Sequence, residues 1–379
     1  MKKVLVVTGT RADYGIYFPI LKAIKADSDL ELHLLVTGMH LSPQYGYTIE
    51  HIRADGFRIS ATVDCLLQGA THANMARSVG LAILGMTQAV ESINPDYVVV
   101  LGDRGEMLAA AIVASHMNIP VAHLHGGEVS GTIDESVRHA ISKLAHIHFP
   151  ATEASRERLI RLGEDPWRIQ VVGAPRIETI LNADLPILTE VKRRYRLDNI
   201  DSYLLFAYHP VTTETGDLED LRGMVNVLAN SGKDVVCIHP NADAGTEGIT
   251  GVYREFADCR NLYWITSFEQ MDYLTILKYT DVLIGNSSSG IIEAASFHVP
   301  VINIGSRQAG RERSDNIFDI GENADELAAA LDYVLTDDCR KAMQKVENVY
   351  EKAGTSALIV RALKDISNPE RWIQKSIAY

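Results

Sequence analysis

Short, unbroken apolar runs recur along the whole chain, each followed by a polar turn and then a helical pattern. In the first half the runs are Val4–Val7, Leu32–Val36, Tyr97–Leu101, Val121–Leu124, Ile147–Pro150 and Ile169–Val172. None alternates apolar with polar, so each reads as a strand covered on both faces, which is the mark of a parallel sheet. Between them lie helical stretches at Tyr17–Lys25, Ala73–Ile93, Glu106–Met117 and Ser136–Leu144. The second half repeats the theme with strands at Tyr203–Tyr208, Asp234–Ile238, Leu262–Ile265, Val282–Ile284 and Pro300–Ile304. Its helices are expected at Leu218–Asn230, Phe268–Lys278, Ile291–Phe297 and Ala324–Leu335. Strand–helix alternation of this kind predicts an α/β class, with doubly wound parallel sheets.

A chain of 379 residues fits two such domains. The join is expected near the Pro175–Tyr203 segment, which holds Pro175, Pro186 and a charged helix around Glu190–Arg196. The predicted division is 1–175 and 176–379, with a last helical segment at about 356–379 that could pack back on either domain. Ligands of open α/β sheets bind at the carboxyl ends of the strands, so a cleft between two facing sheets is the expected site.

Composition narrows the function class. The net charge of −13 is the opposite of a nucleic-acid footprint. No run reaches the 18 or so apolar residues of a membrane span, and the first apolar run is too short for a secretion signal. Cys65, Cys237, Cys259 and Cys339 are far apart with no CxxC pair, which argues against a zinc site or a disulfide framework. A cytoplasmic protein that binds no nucleic acid and no membrane is expected.

The polar residues that follow the predicted strands carry the chemistry. After the first strand comes Thr8-Gly9-Thr10-Arg11-Ala12-Asp13-Tyr14-Gly15, where Arg11 and amide groups at the helix start are placed to meet an anion. The sequence is neither GxGxxG nor a Walker loop. Tyr97–Leu101 runs into Gly102-Asp103-Arg104, where Arg104 offers Asp103 a charge partner. The densest stretch is His123-Leu124-His125-Gly126-Gly127-Glu128, continuing to Asp134 and Glu135. In an extended strand His123 and His125 would share one face. Thr132 and Glu135 also match a capping box, which gives Glu135 a structural reading beside the catalytic one. His139, His146 and His148 read as structural.

In the second half His209 follows a strand that Pro210 ends, and His239-Pro240-Asn241 repeats the arrangement one unit later. The run Gly285-Asn286-Ser287-Ser288-Ser289-Gly290 joins a buried strand to a helix and reads as a diphosphate cradle, with Glu293 one turn on to accept ribose hydroxyls. Arg307, Arg311 and Arg313 supply positive charge downstream.

Together these segments resemble the hydrolysing UDP-N-acetylglucosamine 2-epimerases of bacterial sialic acid biosynthesis. The matching runs are GTRADYG, TGMHLS, LGDR, HLHGGEVSGTIDESVRHAISKLAH, HPVTTE, HPNADAG, IGNSSSGIIEA and INIGSRQAGR, in order over nearly the whole chain. The resemblance implies two Rossmann-like domains of the glycosyltransferase-B type. It implies conversion of UDP-N-acetylglucosamine and water to UDP and N-acetylmannosamine, through elimination of UDP and a 2-acetamidoglucal. A diacetamido-trideoxy sugar of the legionaminic acid pathway is the alternative substrate, and a glycosyltransferase of the same fold the alternative activity.

Carried over by position, Arg11, Arg104, His209, Asn241, Ser287, Ser288, Ser289, Gly290, Glu293 and Arg307 bind substrate or UDP. Asp103, His125, Glu128, Asp134, Glu135 and His209 are the catalytic candidates. The resemblance also implies a homo-oligomer, dimer or tetramer. The chemistry calls for no cofactor and no metal.

Overall fold

The computed structural model describes residues 1–67, 71–129, 133–211, 218–240, 245–365 and 369–378. The chain divides into two compact units. The first comprises Met1–Glu128, Ile133–Thr179 and Lys352–Tyr379, and the second Val129–Thr132 with Ile180–Glu351.

The first unit holds six parallel strands: β1 (Lys2–Thr8), β2 (Leu30–Thr37), β3 (Ile59–Val63), β4 (Tyr97–Leu101), β5 (Val121–Leu124) and β6 (Ile147–Phe149). They lie in the order β3-β2-β1-β4-β5-β6. The second unit repeats this with β7 (Tyr203–Ala207), β8 (Asp234–Ile238), β9 (Leu262–Ile265), β10 (Val282–Gly285), β11 (Val301–Ile304) and β12 (Ile317–Ile320), in the order β12-β11-β10-β7-β8-β9. Each unit is therefore a doubly wound sheet that changes direction between its first and fourth strands, at β1/β4 and at β7/β10. Loops at such a switch point part to leave a crevice for a ligand.

The unbroken apolar runs are explained by burial on both faces. Val4 and Val6 pack with the Arg11–Ala26 helix in one core, while Leu5 and Val7 pack with the His72–Ile93 and Gly105–His116 helices in another. β7 divides the same way, Leu204 and Phe206 against Tyr203 and Leu205. Burying each such side chain is worth about 1.5–3 kcal/mol.

Several expectations of secondary structure change. Ile169–Val172 is not a strand. It makes only an isolated bridge from Ile169 to His148, because Gly173 at φ +81° and the helix that opens at Pro175 leave no room for a ladder. β3 and β12 carry weak apolar patterns, Ile59-Ser60-Ala61-Thr62-Val63 and Ile317-Phe318-Asp319-Ile320, and are edge strands covered by a single neighbour. The expected Ile291–Phe297 helix is instead the short Ser288–Ile292 helix followed by a 3-10 turn, Ala294–Phe297.

The Thr355–Asp365 helix belongs to the first unit. Its Ile359, Val360 and Leu363 enter the core beside Tyr17 and Ile20, and Lys364 pairs with Asp27 at 3.0 Å. No helix among the described residues is long and apolar enough to cross a membrane.

Candidate active site

In the first unit the polar groups gather where β1, β4 and β5 end. After β1, Asp13 is buried, and its carboxylate accepts from the Gly9 amide (2.9 Å) and the Thr10 amide (2.7 Å). An internal acid thus already holds the two amides that precede the helix. Arg11, at the first position of the helix, remains the group of this loop suited to an anion. Glu106 stands at the same switch point, an acid that sequence reading missed. Its carboxylate lies against Gly9, and a Cβ on Gly38 would sit 2.6 Å from Glu106 Oε1.

After β4, Gly102 takes φ +71° and Asp103 follows. Its ionic partner is not Arg104, as the adjacent position suggested, but Arg138 from the Ile133–Leu144 helix. Arg104 is the N-cap of the next helix and lies 3.9 Å from Glu106. Arg138 is buried and also lies 3.6 Å from Glu128. Burial alone would lower the Arg138 guanidinium, but Asp103, Glu128 and Asp134 together raise it above its ordinary value. Arg138 is the central group that sequence reading missed, because a helical arginine ten residues past the glycine loop reads as a solvated charge.

β5 ends at Leu124, and His125 takes the left-handed backbone, φ +59°. Such a conformation in a non-glycine residue stores strain of about 1–3 kcal/mol and gathers at functional loops. It also parts the two histidines, which an extended strand would have set on one face. The His123 ring bonds the Gly102 carbonyl (2.7 Å) and the Ser142 hydroxyl (3.2 Å), and burial first of all pushes its pKa down to about 3. His123 is a neutral buttress. His125 instead directs Nδ1 to Glu128 Oε1 at 2.5 Å, and its buried Nε2 has no hydrogen-bond partner among the described residues. A carboxylate on one ring nitrogen fixes the tautomer and leaves the other nitrogen to act as acceptor. His125, Glu128, Arg138 and Asp103 thus form one connected line of charge.

Asp134 touches that line through its charge on Arg138, and Glu135 pairs outside it. Glu135 lies 3.6 Å from His139 with both side chains part-exposed, and Asp134 is exposed at the start of the helix. The capping box of Glu135 involves Thr132, and Asn241 was expected in the sugar–nucleotide cleft; both lie outside the described residues. His146 and His148 are structural. His146 Nδ1 accepts from the Val121 amide (3.1 Å), and His148 bonds Glu164 (2.9 Å).

The glycine loop is fixed by close packing. A Cβ on Gly127, at φ +78°, would meet the Ser155 carbonyl oxygen at 2.3 Å, whereas one on Gly102 meets nothing within 4 Å. Gly127→Ala should therefore cost about 2–4 kcal/mol of stability, from left-handed strain plus overpacking. Gly102→Ala, with strain alone, should cost about 1–2 kcal/mol. Denaturant midpoints compare the two, and equal losses would contradict the packing argument.

In the second unit the polar groups flank the β7/β10 switch point. Asn286, fully buried after β10, clamps the backbone of His209 after β7: its Oδ1 accepts from the His209 amide (2.7 Å) and its Nδ2 donates to the His209 carbonyl (2.8 Å). Arg307 donates to the Asn286 carbonyl at 3.0 Å. Burial, with Arg307 second, lowers His209 to about 3, so the ring is neutral and offers a single N–H. Ser287 is the N-cap of the Ser288–Ile292 helix, and its hydroxyl lies 3.2 Å from that of Ser289, which also bonds the Tyr273 hydroxyl. Gly290 serves packing, since a Cβ there would meet Val301 at 2.9 Å. Glu293 is buried at the end of that helix. Arg311 and Arg313 lie farther along the same loop, and Arg313 pairs with Asp319.

A family model described as UDP-N-acetylglucosamine 2-epimerase matches residues 22–364. Among curated proteins, the UDP-N,N′-diacetylbacillosamine 2-epimerase (hydrolyzing) of Legionella pneumophila is 43% identical over 380 residues, covering 100% of both chains. The UDP-N-acetylglucosamine 2-epimerase of Neisseria meningitidis serogroup B is 34% identical over 98% of this chain and 97% of its own. A crystal structure of UDP-GlcNAc 2-epimerase from Neisseria meningitidis bound to UDP-GlcNAc shares the fold, with TM-score 0.82 at 17% identity over 96% of this chain and 99% of that one. With its two doubly wound sheets and a likeness that spans the full length of both chains, this chain belongs to the UDP-N-acetylglucosamine 2-epimerase family, as a hydrolysing UDP-sugar 2-epimerase.

Proposed function

We propose that this enzyme takes UDP-N,N′-diacetylbacillosamine and water to UDP and the free 2,4-diacetamido sugar inverted at carbon 2. The observation that carries this reading is the 43% identity, over the full length of both chains, to a relative named for that substrate, against 34% to one named for UDP-N-acetylglucosamine. UDP-N-acetylglucosamine, yielding N-acetylmannosamine for sialic acid synthesis, is the second reading, favoured by that 34% relative. A cytoplasmic homo-oligomer, dimer or tetramer, completes the proposal.

The hydrogen on carbon 2 is inert while the ring carries no adjacent carbonyl. Breaking the bond from carbon 1 to UDP places oxocarbenium character next to it and makes it removable. Arg11 and Arg307, the His209 N–H and the hydroxyls of Ser287 and Ser288 are assigned to the negative charge that grows on the departing diphosphate. Glu293 is assigned to the ribose hydroxyls. His125 Nε2, oriented by Glu128 on the other ring nitrogen, is assigned the carbon 2 proton. Asp103 and Arg138 hold the charge balance beside it. Asp134, exposed one turn before Arg138, is assigned in its acid form the proton delivered to the opposite face of carbon 2; water then adds to the oxocarbenium carbon 1 and gives up a proton that restores the acid form of Asp134, while His125 releases the proton it took to solvent.

An NMR time course in heavy water with each nucleotide sugar tests both the activity and its substrate. The diacetamido sugar, which differs at carbons 4 and 6, should show kcat/KM about 10–200-fold higher, the range that a change as small as one methylene commands in a hydrophobic pocket, with deuterium at carbon 2 of the free sugar. Equal or better turnover of UDP-N-acetylglucosamine would select the second reading, and product without deuterium at carbon 2 would exclude both.

A further inference from the structure

The helix that carries Arg138 and Asp134 is held at its far end by the tail of the chain. Lys375 Nζ donates to three carbonyls at the carboxyl end of the Ile133–Leu144 helix: Ser142 (3.1 Å), Lys143 (2.9 Å) and Ala145 (2.7 Å). The same ammonium lies 2.6 Å from Glu164 Oε2, a carboxylate with no exposed surface that also bonds Lys143 and His148. A cation at a helix carboxyl terminus satisfies carbonyls that have no partner within the helix and complements its dipole. Here it comes from more than two hundred residues along the chain, as the difference between positions 375 and 142 shows.

The tail is strapped down immediately before this contact. Arg168 donates to the carbonyls of Trp372 (2.8 Å), Gln374 (3.0 Å) and Arg371 (3.3 Å), and Trp372 packs on Trp167 with ring centroids 4.7 Å apart. The helix in turn reaches the site by two routes. Arg138 pairs directly with Asp103 and approaches Glu128. Ser142, whose carbonyl Lys375 holds, supports His123, and His123 holds the Gly102 carbonyl immediately before Asp103.

We propose that Lys375 is a positioning residue for the reaction, fixing the axial placement of the Ile133–Leu144 helix and through it the Arg138 bridge between Asp103 and Glu128. The inference rests on the reading of Asp103, His125 and Glu128 as the reacting end of the site. Arg138 has buried atoms and little freedom, so a small slide of the helix must move the carboxylates with it. Displacement of about 1 Å in a positioned site costs about 10²-fold in rate.

The ammonium is also sensitive to pH. Burial foremost lowers Lys375 to about 8, against which Glu164 raises it and Lys143 and Arg168 lower it; His146 and His148 face the same cluster and are themselves pushed down, foremost by burial. Below about pH 8 the charged cap is in place. Above it Lys375 becomes a neutral amine and the cap weakens.

The test compares the full-length parent with Lys375→Met and Lys375→Arg, measuring kcat, KM, UDP affinity and thermal midpoint from pH 6 to pH 10. Lys375→Met should lower kcat about tenfold or more with KM and UDP affinity within about twofold, as expected when only the geometry of reacting groups is disturbed. Lys375→Arg should restore kcat and carry it past pH 8, where the parent declines, because a guanidinium keeps its charge. Parental kcat in a folded Lys375→Met, or an alkaline decline in Lys375→Arg that overlays the parent, overturns the proposal. If Lys375→Met does not fold, the pH profile of Lys375→Arg decides alone. Intact turnover in Glu128→Gln would mark failure of the site reading itself, whatever Lys375 does.

Discussion

Glu128→Gln should lower kcat by about 10²–10⁴-fold, the span that a positioned proton-transfer group contributes, while UDP affinity stays within about threefold. The amide keeps the shape of the side chain but no longer offers His125 Nδ1 a carboxylate at 2.5 Å, nor Arg138 a charge at 3.6 Å. His125 then loses its fixed tautomer. UDP should be indifferent, since the groups assigned to the diphosphate lie at Arg11, His209, Ser287, Ser288 and Arg307. His125→Asn should cost a similar factor. The double variant should cost little more than the worse single, because groups that act as a unit are not additive. Additive losses in rate, or a Glu128→Gln enzyme whose defect lies in UDP binding, would separate the two residues and remove His125 as the base at carbon 2.

Arg138→Met should be the most damaging single change to the first unit. It leaves Asp103 and Glu128 without the cation they share, and Glu128 has only 6% of its side chain exposed. Removing one partner of a buried ionic group typically costs about 3–5 kcal/mol, because the remaining charge is left uncompensated. At roughly 2–4 °C per kcal/mol for a domain of this size, the first thermal transition should fall by about 6–20 °C. The loss should shrink on acidification, as protonation of the orphaned acids relieves the unpaired charge. Arg138→Lys should recover little, since a single ammonium cannot span Asp103 and Glu128 as a planar guanidinium does. A thermal midpoint in Arg138→Met that stays within about 2 °C of the parent would mean the bridge carries no more than a surface pair.

The sequence by itself determined the architecture and most of the residues at the strand ends. Unbroken runs such as Val4–Val7 and Leu204–Phe206 can be satisfied only between two layers of helix, because neighbouring side chains point to opposite faces and both must be covered. The ends of β1, β4, β5, β7 and β10 followed from where those runs stop, so Arg11, Asp103, His125, Glu128, His209 and Ser287 were legible as candidates. Partners were not. Asp103 reaches Arg138 across 35 positions and Lys375 reaches Ser142 across 233, and no local pattern encodes an approach set by the packing of separate elements. Conformation at single residues was equally hidden. The left-handed turn at His125 reverses what an extended strand would offer, and Asp13 holds the Gly9 and Thr10 amides. Periodicity reports which side of an element is apolar. Which buried charge meets which is decided only when desolvation forces each one to find a partner in three dimensions.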